Sequence, residues 1–177
     1  LYTKLTHSQI ILPMVKEVMS DCELGWQDID GIAVAKGPGS YTGLRIGIAA
    51  VKGICMGSPH IKCAGISTLE ALAYNCSAFQ GRIIPVMKAR PGVVYVGDYF
   101  SDKGKVTPLS EDKVAREEDI FPSLDSTEKI MLTGDYCAEV KAEYFADNEN
   151  VILAPTADRL QKASSLCVAF LNSPQYE

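Results

Sequence analysis

The sequence predicts an α/β fold, and three observations carry that prediction. Short apolar runs bounded by turn residues alternate with stretches of helical period. A glycine-rich turn leads from one such run straight into a helix. Nearly half of the 177 residues are hydrophobic, enough for a real core. The length suits one domain or two small lobes.

Leu1 to Leu5 reads as the tail of a strand. The chain begins at Leu1 rather than Met, inside that strand, so an N-terminal segment is expected to be missing. From Ser8 to Met19, Ile10, Ile11, Met14, Val15, Val18 and Met19 make one helical stripe. Pro13 falls inside it and predicts a kink or a late start. Gly31 to Ala35 is a buried strand and Leu44 to Met56 a second helix. Lys62 to Ile66 is another strand. Ser67-Thr68-Leu69-Glu70 is a capping box that opens a helix to about Cys76. Arg82 to Met87 and Val93 to Phe100 read as strands joined by a turn over Lys88 to Gly92. Beyond them come a strand at Lys129 to Thr133, a helix at Ala138 to Phe145, a strand at Val151 to Leu153 and a final helix from Ala157 to Leu171. A lobe boundary is expected near Phe79.

The formal charge of −5 argues against a chain that holds nucleic acid by itself. Only scattered bases such as Arg82, Lys88 and Arg90 are present. An acidic subunit that docks onto a nucleic-acid-binding partner stays open. No apolar run approaches the roughly 20 residues of a membrane helix. The six cysteines form no C-x-x-C pair and read as reduced, partly buried thiols of a cytoplasmic protein.

Lys36-Gly37-Pro38-Gly39-Ser40-Tyr41-Thr42-Gly43-Leu44-Arg45-Ile46-Gly47 is the most informative stretch. It follows a strand and opens a helix, where exposed amides suit an anion or a nucleotide phosphate. Gly37, Gly39, Ser40, Thr42, Gly43 and Arg45 are the candidate residues. The stretch is not a P-loop, a dinucleotide fingerprint or a nucleophile elbow. Gly39, Gly43 and Gly47 are spaced by four, as are Ala49, Gly53 and Gly57. Such a small-residue face packs either on this protein's own sheet or on a partner's helix.

Catalytic machinery is sparse. His7 and His60 make no metal-ligand spacing. Gly65 to Leu69 approaches an elbow but lacks its last glycine, and the capping box accounts for Ser67. Glu117 and Glu118 read as solvated. No catalytic residue and no metal site is assigned.

Gly37 to Gly47 resembles the TsaB/YeaZ pattern G-x-G-P-G-S-[FY]-T-G-[LV]-R-[IV]-G, with Ala35 at its first glycine. Thr6 to Gln9 with Leu12 to Met14 resembles the family's H-S-Q-x-L-L-P-M helix. Gly65 to Leu69 resembles its V-S-T-L segment. Pro85 to Arg90 with Val94 and Tyr95 resembles P-V-I-D-A-R…V-Y. These motifs cover about the first hundred residues in the right order; the rest matches only in style.

The resemblance implies an ASKHA (actin/sugar kinase/Hsp70-like, ribonuclease H-like) fold of two small lobes whose first strands lie outside this sequence. The lobes would be residues 1–78 and 79–156, with a C-terminal helix and tail at 157–177. It implies a non-catalytic, cytoplasmic subunit of the machinery that places threonylcarbamoyl on adenosine 37 of tRNA. The partners would be a second copy, the catalytic paralogue TsaD and the ATPase TsaE, with tRNA met only through the complex. ATP or ADP would sit at the complex interface rather than in this chain. The implied interface comprises Gln9, Leu12, Pro13 and Lys16 on the first helix, and Gly43, Ile46, Gly47 and Ala50 on the second. The family's D-A-R aspartate is Lys88 here. Two alternatives remain: a nucleotide-binding acyl or carbamoyl transferase or peptidase-like enzyme, and a stand-alone regulatory homodimer.

Overall fold

Ser67 ends a strand and starts a helix at one point, and the two sheets of the molecule meet around that junction. A computed structural model describes residues 7–173. The Leu1 to Leu5 strand lies outside the described residues.

α1 (His7–Asp21) leads through a short turn to β1 (Gly31–Gly37), α2 (Tyr41–Gly57) and β2 (Lys62–Ser67). β1 and β2 pair in parallel, with Gly31 opposite Lys62 and Ala35 opposite Ile66. α3 (Thr68–Asn75) then enters a five-stranded sheet in the order β5-β4-β3-β6-β7. Its strands are β3 (Gly81–Arg90), β4 (Val93–Asp102), β5 (Lys105–Arg116), β6 (Ile130–Thr133) and β7 (Val151–Leu153). β3, β4 and β5 form an antiparallel meander; β6 and β7 join β3 in parallel. α4 (Glu117–Ile120), α5 (Cys137–Tyr144) and α6 (Ala163–Leu171) complete the chain.

β3 is apolar along its middle because both of its faces are covered. Ile83 and Met87 join a cluster with Leu69, Leu72, Tyr99 and Phe170. Ile84 and Val86, on the opposite face, join Phe121, Leu132 and Val140. α6 returns to the first sheet: Ala169 and Phe170 share the cluster that holds Ala64 and Ile66.

Several expectations need correction. Pro13 neither delays nor ends α1, which begins at His7. α2 starts at Tyr41 rather than Leu44, because the Ser40 hydroxyl accepts from the Gly43 amide at 3.3 Å and caps the earlier turn. Lys88 to Arg90 are strand, not turn. A register shift between Lys88 and Arg90 absorbs one residue, and Pro91-Gly92 alone makes the bend. β5 was not expected. Glu117 is not solvated but buried, as the first residue of α4. The last helix starts at Ala163, six residues after the expected Ala157, which lies in a 3-10 turn over Thr156–Asp158. Of the thiols, Cys76 and Cys137 are buried while Cys22, Cys63 and Cys167 are exposed; all are free.

Candidate functional site

The parallel pairing of β1 and β2 brings their carboxyl ends side by side, with α2 leaving one and α3 the other. Crevices at such ends hold ligands in open α/β sheets. Gly37 has φ +116°, a value that favours glycine, and turns the chain away from β1. Pro38, Gly39 and Ser40 carry it to the first turn of α2. Pro38, Gly39, Ser40, Gly43 and Leu44 line one side of a cleft of about 300 Å³. Thr68, Met87 and Gln161 line the other. Gly37 and Thr42 are sequence neighbours of these residues but are not among those that line the cleft. Arg45 does not join it. Its guanidinium donates to the Tyr41 hydroxyl at 3.0 Å and lies over the Tyr41 ring at 5.3 Å.

No sequence signal marked Thr68, Met87 or Gln161. Thr68 is an interior letter of the capping box, and the other two arrive from strand and loop far along the chain. The capping box itself is formed. Ser67 Oγ accepts from the Leu69 and Glu70 amides at 3.1 and 3.4 Å, and the Ser67 amide bonds the Glu70 carboxyl. Burial nevertheless raises the Glu70 pKa. Ser67 Oγ also donates to the Asp112 carboxylate, which accepts from the Tyr99 hydroxyl at 2.6 Å. Burial, and then Asp112, push the Tyr99 pKa up. Both lone pairs of the Ser67 hydroxyl are thus engaged by amides of α3, while its proton is held by Asp112. His60 is committed elsewhere, with Nε2 at 3.1 Å from the Trp26 carbonyl oxygen. Among the described residues no group of three His, Cys, Asp or Glu could hold a metal ion.

The second feature is the pair α1 and α2. No residue of α2 is fully buried, and apolar side chains stand open on both helices. Leu12 is 44% exposed, Val18 61% and Met56 84%. Leu12, Trp26, Ala50, Gly53, Ile54 and Gly57 line an apolar groove of about 450 Å³. Ile10, Ile11, Met14, Gly43 and Ile46 line a second of about 220 Å³. Leu12, Gly43, Ile46 and Ala50 of the expected interface thus border these grooves, and Gln9, Pro13 and Lys16 are exposed on α1. Gly47 departs from the expectation: a Cβ there would sit 3.7 Å from Val34 of β1, so Gly47 faces the protein's own sheet. Gly39 precedes the helix and is not on its face. Gly53 and Gly57 have nothing within 4 Å of an added Cβ and are the open part of the small-residue stripe.

Lys88, in place of the expected aspartate, has a clear setting. Its ammonium lies 5.2 Å from the Tyr136 ring centroid, and its amide donates to Asp135 at 3.2 Å.

A family model described as TsaD, tRNA N6-adenosine threonylcarbamoyltransferase, matches residues 2–173. Curated relatives carry the name tRNA threonylcarbamoyladenosine biosynthesis protein TsaB. The protein from Bacillus subtilis (strain 168) is 37% identical over 131 residues, covering 74% of this chain and 57% of that protein. That from Escherichia coli (strain K12) is 35% identical over 102 residues, covering 56% and 44%. That from Buchnera aphidicola subsp. Schizaphis graminum (strain Sg) is 33% identical over 147 residues, covering 79% and 68%. The chain therefore spans roughly half the length of the first two of these relatives. The solved structure of YeaZ from Pseudomonas aeruginosa superimposes with a TM-score of 0.77 at 24% identity, covering 93% of this chain and 76% of that one. Such a likeness shows the fold, which is the ASKHA-type α/β architecture.

Proposed function

From the premise that the chain belongs to the TsaB (YeaZ) family, a glycoprotease-like branch related to TsaD, we propose that it is a partner-binding subunit in tRNA threonylcarbamoyladenosine biosynthesis. The observation that carries this reading is the apolar surface of α1 and α2, where Leu12 lines one of two apolar grooves and Val18 and Met56 stand exposed elsewhere on the same helices. A monomer gains nothing by leaving such a surface bare, and exposed apolar surface of this kind is a feature of interaction sites. The relatives are named for this biosynthesis, and the family model is named for the transferase. The occupant that fits best is therefore the TsaD paralogue, which shares the fold. On this reading chemistry belongs to the partner, TsaE and tRNA join through the complex, and a second copy covers the same surface when TsaD is absent. The saturated Ser67 hydroxyl supports the subunit reading over a peptidase.

The test is reconstitution. Threonylcarbamoyl incorporation into tRNA is followed with the TsaD paralogue, with and without this chain. Incorporation is expected only with both proteins. Equal incorporation by the paralogue alone, or any by this chain alone, would contradict the proposal.

A further inference from the structure

One face of the β1-β2 sheet is turned to α2. A Cβ on Gly47 of α2 would meet Val34 of β1 at 3.7 Å, and a Cβ on Gly65 of β2 would meet the Lys36 side chain at 3.3 Å. Val34, Lys36 and Gly65 therefore share that face. Side chains alternate along a strand, and the register sets Cys63 beside Ile32 as it sets Gly65 beside Val34. Cys63 thus points to the α2 side. Ala64 and Ile66 point the other way, into the cluster with Phe170 of α6.

Successive helical residues turn by about 100°. Cys55 stands about 80° round α2 from Gly47, which meets β1. Ala50 and Gly57 stand on the opposite side, where they line the apolar groove with Leu12 of α1. Cys55 is therefore turned towards β2, and its thiol is hydrogen-bonded with Cys63. Burial, and then this neighbour, raise the Cys55 pKa. Cys55 is half-buried and Cys63 exposed, so a small oxidant reaches Cys63 first.

We propose that Cys55 and Cys63 are a modification site, an oxidisable pair that a hydroperoxide closes to a disulfide. The Cys63 thiolate attacks one peroxide oxygen. The O–O bond breaks, Cys63 becomes a sulfenic acid, and the leaving hydroxide takes up the thiol proton as water. The Cys55 sulfur then attacks the Cys63 sulfur. The S–O bond breaks, and the expelled hydroxide leaves as water with the Cys55 proton. Two thiols and one hydrogen peroxide give one disulfide and two waters; sulfur loses the two electrons that the peroxide gains. The new bond ties the last turn of α2 to β2 and holds Ile54 and Gly57, which line the groove, in place. The pair belongs to this chain alone, so its test is independent of the subunit reading.

The experiment treats the reduced chain with hydrogen peroxide at a near-equimolar ratio, blocks the remaining thiols and maps tryptic peptides without reductant. Free thiols should fall by two, from six to four, and the peptide Gly53–Lys62 should be joined to the one that begins at Cys63. Cys76 lies in that second peptide too, so Cys76→Ala should keep the link and Cys63→Ser abolish it. Cys63 is exposed, and Cys63→Ser is expected to fold like the parent. Cys55→Ser should leave Cys63 as a sulfenic acid that dimedone traps. The oxidised parent should melt above the reduced one, and dithiothreitol should restore six thiols and the lower melting temperature. Six thiols after treatment, a link through other cysteines such as Cys22 or Cys167, or oxidation that the reductant does not reverse would overturn the proposal.

Discussion

Gly134 has φ +102°, and a Cβ there would lie 2.0 Å from the carbonyl oxygen of Val86 in the middle of β3. Neither backbone can give way. Gly134→Ala should therefore cost at least about 3 kcal/mol, read as a fall in the denaturant midpoint at constant slope. Cys76 makes a second residue-scale prediction. Burial pushes its thiol from 9.0 to about 11, so the folded protein holds a proton that the unfolded chain releases first. The stability this group lends is complete below pH 9 and is lost as pH rises towards 11, on the order of 2 kcal/mol. Cys76→Ala should flatten that part of the stability profile, measured by chemical denaturation from pH 8 to 11. The sequence showed the Ser67 cap because a cap is written in four adjacent letters. It did not show that Ser67 also meets Asp112, 45 residues away, or that Gly134 abuts Val86. Those contacts depend on strand register, which local spacing does not encode.

At the scale of elements, the two helices of the open surface separate two roles for glycine. Gly47 faces Val34 of β1, while Gly53 faces open space beside the groove. Gly47→Leu should lower stability by about 1–3 kcal/mol by overpacking the sheet. Gly53→Leu should leave the melting temperature within a few degrees of the parent and weaken assembly, read by light scattering at micromolar protein. Spacing by four made both glycines visible, but the face each turns to is set by where β1 lies. β5 was invisible for a related reason. Of its twelve residues Val106 alone is buried, so no apolar alternation betrays a strand paired along β4. The start of α6 was misplaced because Thr156–Asp158 continues the helical pattern as a 3-10 turn. There the Asp158 and Leu160 carbonyls accept from the Asn75 side chain instead of extending a helix.

Over the whole molecule, the last described helix closes the first sheet. A Cβ on Gly31 would lie 2.5 Å from Cε1 of Phe170, which measures how closely α6 sits on β1. Phe170→Ala should cost about 3–5 kcal/mol, and thermal melting should report it as one cooperative transition shifted downward. Outside β5 the α/β alternation was legible, because the other longer runs of strand and helix carry their own period. That residues near 170 complete a sheet built from residues near 31 and 64 was not, since nothing local distinguishes one apolar helix face from another. The open surface of α1 and α2 is the molecule's most direct statement about function. Size-exclusion chromatography with light scattering, on the chain alone and mixed with its TsaD paralogue, tests it. The account predicts a one-to-one complex that replaces any homodimer and is lost with Gly53→Leu. A folded chain that stays apart from the paralogue at micromolar concentration would contradict it.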